Sequence, residues 1–103
     1  MTDKQRKDER LQVSLEGRAK ALSNIMRVRV SDLSLGGCYV ESLAQVQVGD
    51  HINIEIQLPN GGWVSLNSQI VYHHPNMGFG VQFTNLGEAE TRALQQLIEY
   101  VRG

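Results

Sequence analysis

The sequence is poor in several residues on which common chemistries depend. It holds one cysteine, Cys38, which excludes an internal disulfide and any cluster of thiolate metal ligands and points to a reducing compartment. Aromatic residues are 6% of the 103 positions and there are two prolines. No run of roughly eighteen apolar residues occurs, and the opening MTDKQRKDER is charged throughout, so neither a membrane span nor a signal peptide is expected and the location expected is cytoplasmic. A chain of this length accommodates one small domain, 1–103, without a large cleft between two lobes, and no catalytic activity is expected of it.

Basic residues are missing from most of the chain. Between Val30 and Thr91 there is no Lys or Arg, while Asp32, Glu41, Asp50, Glu55, Glu88 and Glu90 leave this stretch at −6. Up to Arg29, eight basic residues face four acidic ones, so the net charge of −1 conceals a strong polarity along the sequence. An anion-binding site must therefore recruit its arginines from the first third. The sparse aromatics and the long stretch without basic residues give a poor footprint for DNA or RNA.

What is present is a series of period-two patterns. Residues 1–10 contain no Val, Ile, Leu or aromatic residue and are expected to form a flexible arm. Leu11, Val13 and Leu15 then alternate with polar residues until Gly17, which closes a first strand. Met26, Val28 and Val30 mark a second strand with Arg27 and Arg29 on its outer face, and Cys38–Glu41 a short third. Ile52, Ile54, Ile56 and Leu58 define the inward face of a fourth. Beyond the Pro59–Gly62 turn, Val64, Leu66, Ser68, Ile70 and Tyr72 continue the period on a fifth, and Phe79, Val81 and Phe83 face inward on a sixth. The period then becomes helical at Leu94, Leu97, Ile98 and Val101, with Leu86, Ala89 and Ala93 extending the stripe over 86–101 and Asn85 with Glu88 reading as a capping box. The fold class implied is mainly β, a small antiparallel barrel of six strands over 11–83 with one C-terminal α-helix.

Two groups of residues can carry chemistry. Arg6 and Arg10 are four positions apart, up to roughly 13 Å in an extended chain, a span suited to a ligand with two separated acceptor groups. Guanidinium binds phosphate bidentately, pairs with guanine O6 and N7, or stacks on a base. In Asp32-Leu33-Ser34-Leu35-Gly36-Gly37, a carboxylate and a hydroxyl two residues apart are expected to face one ligand together, the carboxylate accepting from guanine N1–H and N2–H, with Gly37 permitting unusual torsions or a close approach. Taken alone, each has a bland reading, as a solubilising arm and as a local turn.

Together, Arg-x-x-x-Arg before the first strand and Asp-x-Ser-x-x-Gly after the second resemble the PilZ domain family of bacterial cyclic di-GMP receptors. Val48-Gly49-Asp50 and Gly78-Phe79-Gly80-Val81-Gln82-Phe83 also look like that family's pattern. The resemblance implies a PilZ-like six-stranded barrel. It also implies a site for cyclic di-GMP at Arg6, Arg10, Asp32, Ser34 and Gly37, with Gln5 and Lys7 as possible auxiliary contacts and no cofactor. The implied function is a receptor whose arm orders on binding and signals to a downstream protein effector. The alternative is a PilZ-like adaptor with vestigial nucleotide binding.

Other residues carry less. His73 and His74 are adjacent, so on a strand their rings face opposite ways, and no metal site is expected of them with His51. Cys38 is expected to pack in the core. Trp63, at a hairpin end, can stack a guanine, dock a partner or cap the barrel.

Overall fold

The computed structural model describes residues 9–21 and 24–103. Six strands, β1 (Leu11–Ala21), β2 (Asn24–Leu33), β3 (Gly37–Glu41), β4 (His51–Gln57), β5 (Trp63–His74) and β6 (Gly78–Phe83), precede one helix, α1 (Glu88–Arg102). Every pairing is antiparallel, and the strands close into a barrel in the order β1-β2-β3-β6-β5-β4. Closure leaves no free sheet edge.

The inward alternation follows the apolar pattern. Ile52, Ile54 and Ile56 of β4 and Val64, Leu66 and Ile70 of β5 are all buried, as are Phe79 and Val81 of β6. Cys38 is 1% exposed within the same core, where burial pushes its thiol up to about 12. At this pKa the sulfur is a packed apolar group and not a nucleophile. The hairpin turns take the residues their torsions require: Gly61 adopts a φ of 91° between β4 and β5, and Asn76 one of 66° between β5 and β6.

Strand ends differ from the alternation in two places. Gly17 does not close the first strand, because β1 continues to Ala21, pairing with β2 throughout and with β4 from Gly17 to Lys20. A Cβ at Gly17 would lie 3.2 Å from the Glu55 carbonyl and from Val28, so the glycine marks where β1 is packed from both sides. Tyr72 does not continue the inward face of β5. The register steps from Ile70 opposite Val81 to Tyr72 opposite Gly80, a bulge at Val71 that turns Tyr72 outward.

The helix begins at Glu88 and not at 86. Asn85 has a φ of 51°, incompatible with the extended N-cap of a capping box, and the extended residue is instead Gly87, without a side-chain cap. Ala89 is exposed. Leu94, Leu97 and Ile98 are buried, and α1 lies against β1 and β5. Glu88 and Glu90 in the first turn and Arg102 in the last complement the helix dipole.

Candidate functional site

Cross-strand pairing brings the two sequence motifs to one place. Leu11 opposes Leu33 and Gln12 opposes Asp32, so the residue preceding β1 reaches the end of β2. Arg10 Nη1 donates to Asp32 Oδ1 at 2.7 Å. Both side chains are partly exposed, at 49% and 30%, and the hydrogen bond from Arg10 to Asp32 raises the guanidinium pKa against a smaller desolvation effect. Among the described residues, one guanidinium N–H is used and the others have no partner, nor does the second carboxylate oxygen. The pair is thus a fixed fork of donors beside a fixed acceptor. Arg6, Gln5 and Lys7 lie outside the described residues, as does most of the expected arm.

Ser34 does not share a face with Asp32. β2 ends at Leu33 and the chain turns, so strand alternation does not carry across the motif. Ser34 is 4% exposed, and its hydroxyl accepts from the amides of Gly36 and Gly37, both at 3.2 Å, while donating to the Gly37 carbonyl at 3.3 Å. The Ser34 amide donates to the same carbonyl at 2.9 Å. The hydroxyl is consumed in shaping the turn.

Gly37 answers to close approach. A Cβ there would lie 2.2 Å from the carbonyl oxygen of Val81 across the β3–β6 ladder. The Phe83 amide bonds the Gly36 carbonyl at 2.9 Å, fastening the turn to the end of β6. Serine and glycine therefore hold the loop that follows Asp32.

Among the described residues, the three register shifts of the barrel fall beside a single row. They lie between Gln12 and Leu15 on β1, between Val30 and Asp32 on β2, and between Ile70 and Tyr72 on β5. The row itself runs Gln12, Asp32, Tyr39, Gly80, Tyr72 across five strands. Strict alternation from Val28 and Val30 would point Asp32 into the core. The bulge sends it outward instead, while Leu33 returns to full burial.

At the far end of this row the outer face carries rings. Tyr39 and Tyr72 have centroids 6.1 Å apart at 27°, and His74 sits 5.8 Å from Tyr39 and 5.1 Å from Tyr72. The Tyr39 hydroxyl lies 3.2 Å from His74 Nδ1. Sequence reasoning misses this cluster because it continues the period of the fifth strand unbroken through Tyr72. A usable signal existed in Gly78 and Gly80, which leave two outward positions of β6 without side chains.

The arginines of β1 and β2 are engaged elsewhere. Arg27 bonds Glu16 at 2.7 Å, holding that carboxyl below its usual range. Arg29 donates to Ser14 at 3.0 Å. Arg18 pairs with Glu55 at 2.9 Å and lies 3.7 Å over the ring of Trp63, so the tryptophan face is occupied by a guanidinium. Glu9, between the two motif arginines in sequence, accepts from Arg102 at 2.7 Å.

Comparison with known proteins settles the lineage. The PilZ domain family profile matches residues 4–101. The chain belongs to the PilZ domain family. Among solved structures, the PilZ domain of CeSA from a cellulose-synthesizing bacterium superposes with a TM-score of 0.76 at 18% identity, over 93% of this chain and all of that one. YcgR from Escherichia coli in complex with c-di-GMP gives 0.74 at 24% identity over 91% of this chain, and the Bacillus subtilis inhibitor of motility MotI/DgrA gives 0.73 at 15% over 90%. The chain spans 44% and 49% of those two proteins. A search of curated proteins returns no match. No helix among the described residues is long and apolar enough to cross a membrane.

Proposed function

We propose that this PilZ domain is a receptor for cyclic di-GMP that binds without catalysis and passes the signal to a protein partner. The observation that carries the reading is the 2.7 Å contact between Arg10 and Asp32, which unites the two motifs on one exposed face. Asp32 fixes the guanidinium, whose remaining N–H groups suit a phosphate, and its second oxygen suits the N1–H and N2–H donors of a guanine. Arg6 supplies a second guanidinium for the dianion. Gly36 and Gly37 keep the turn low, and Ser34 acts by shaping it. The complex of YcgR with c-di-GMP supports the ligand class.

Titration calorimetry with cyclic di-GMP tests the reading. Arg10→Ala and Asp32→Ala should each weaken binding at least tenfold without loss of fold, and the first ten amides should gain exchange protection with ligand. Unchanged affinity in both variants would remove the site assignment.

A further inference from the structure

The outer-face cluster of Tyr39, Tyr72 and His74 is not explained by the core or by the two motifs. Only six aromatic residues exist in the chain, and two of them are spent here. Tyr72 is 37% exposed.

The sheet is modified to hold these rings flat. The bulge at Val71 brings Tyr72 to the outside opposite Gly80, and a Cβ at Gly80 would come within 2.4 Å of the Tyr72 ring. The tyrosine therefore lies down across a strand position that has no side chain. Tyr39, fixed through its hydroxyl to His74, continues the surface toward β2, where its direct cross-strand partner is Asp32. Opposed residues in such a pair have Cβ atoms about 5 Å apart, so the ring surface begins where the Arg10–Asp32 pair ends. From β2 to β5 the row spans three strand spacings of about 4.8 Å, or roughly 14 Å, enough for a base next to a phosphate.

We propose that Tyr39 and Tyr72, with His74 bracing Tyr39, form a stacking subsite for a guanine of the dinucleotide whose phosphate and base edge are held at Arg10 and Asp32. The proposal rests on the receptor reading above and adds to it the group that receives the face of the base. The chemistry favours a purine over an aliphatic group: Tyr72 is exposed and Tyr39 half-buried, their rings lie within 27° of parallel, and they adjoin a guanidinium–carboxylate pair, so one flat ligand meets a π surface and directional polar groups together. Stacking of a base on an aromatic side chain is strong enough to show in affinity by tenfold or more.

The experiment is titration of cyclic di-GMP into wild type, Tyr72→Leu, Tyr72→Phe, Tyr39→Leu and Arg10→Ala, with thermal melts of each. Tyr72→Leu keeps bulk but loses the π face and should weaken binding about tenfold, Tyr39→Leu several-fold, and Tyr72→Phe should restore affinity to within about twofold of wild type. In NMR spectra, the ring protons of Tyr72 should shift upfield on ligand addition. Tyr72→Leu and Tyr39→Leu both binding within twofold of wild type, while Arg10→Ala loses tenfold, would overturn the stacking subsite and leave the receptor reading intact. Failure of the wild-type protein to bind cyclic di-GMP would remove the receptor reading and the subsite with it.

Discussion

Gly37 is paired with Gln82 in the β3–β6 ladder and lies so close to the preceding peptide that a Cβ on the glycine would sit 2.2 Å from the Val81 carbonyl oxygen. The contact is with backbone, which cannot rotate aside. Gly37→Ala must therefore spread two strands of a closed barrel, and the expected loss is about 2–4 kcal/mol in urea unfolding, as for other strained core substitutions. Gly36→Ala is the internal control. Its Cβ would meet nothing nearer than the Ser34 hydroxyl at 4.0 Å, so its stability should remain within about 0.5 kcal/mol of wild type.

Ser34 and Asp32 should separate stability from binding. Ser34→Ala leaves the Gly36 and Gly37 amides without the hydroxyl that accepts from both, in a turn that is largely buried, and should cost about 1–3 kcal/mol. Asp32→Ala removes a partly exposed ion pair, worth about 1 kcal/mol or less, yet should abolish most cyclic di-GMP binding. Paired melts and titrations check the contrast. A Ser34→Ala protein as stable as wild type with tenfold weaker binding would give the hydroxyl back a direct ligand role.

These contrasts show which parts of the molecule were legible in the sequence. Period-two alternation reports side-chain parity, so the inward positions of β4 and β6 follow directly from it, while the burial of Cys38 follows from its character as a small apolar side chain without a basic neighbour in sequence. Parity fails at a bulge, and nothing in the residues around Val71 or Ser31 announces an extra residue. For this reason alternation carried through to Tyr72 misses its cluster with Tyr39 and His74, which only Gly78 and Gly80 on the neighbouring strand signal. The identity of Asp32 as a polar group at the end of a strand was visible, whereas its contact with Arg10 depends on the β1–β2 register. The start of α1 was displaced because Asn85 carries the right side chain for a cap but adopts left-handed torsions.

Glu9 and Arg102 join the N-terminal motif to the last turn of α1 across 93 residues of sequence. Both are about half exposed, so the pair contributes little to stability, and Arg102→Ala should lower unfolding free energy by less than about 1 kcal/mol. That difference should shrink further as salt is raised from low to roughly 0.5 M, because exposed charges are screened. A salt-independent loss would show that Arg102 acts through packing of its aliphatic stem.

Cys38 makes the fold sensitive to alkali. Its thiol has an ordinary value of 9.0 and is raised to about 12 in the barrel, mainly through desolvation and secondarily through Asp32. Above pH 9 the unfolded chain releases this proton while the folded chain keeps it, so the native state binds more protons and stability falls as pH rises. The loss should approach about 1.4 kcal/mol per pH unit between the two values and level off above about 12. Below pH 9 both states hold the proton and Cys38 contributes no slope. Urea unfolding at pH 8, 9, 10 and 11 on wild type and Cys38→Ala separates this contribution from the other alkaline titrations, since only wild type carries the thiol. The wild-type stability minus that of Cys38→Ala should be constant below pH 9 and fall with rising pH above it, whatever offset the smaller side chain introduces by leaving a cavity. A native protein whose thiol reacts with a maleimide at pH 8 as fast as free cysteine would contradict the burial on which the slope depends.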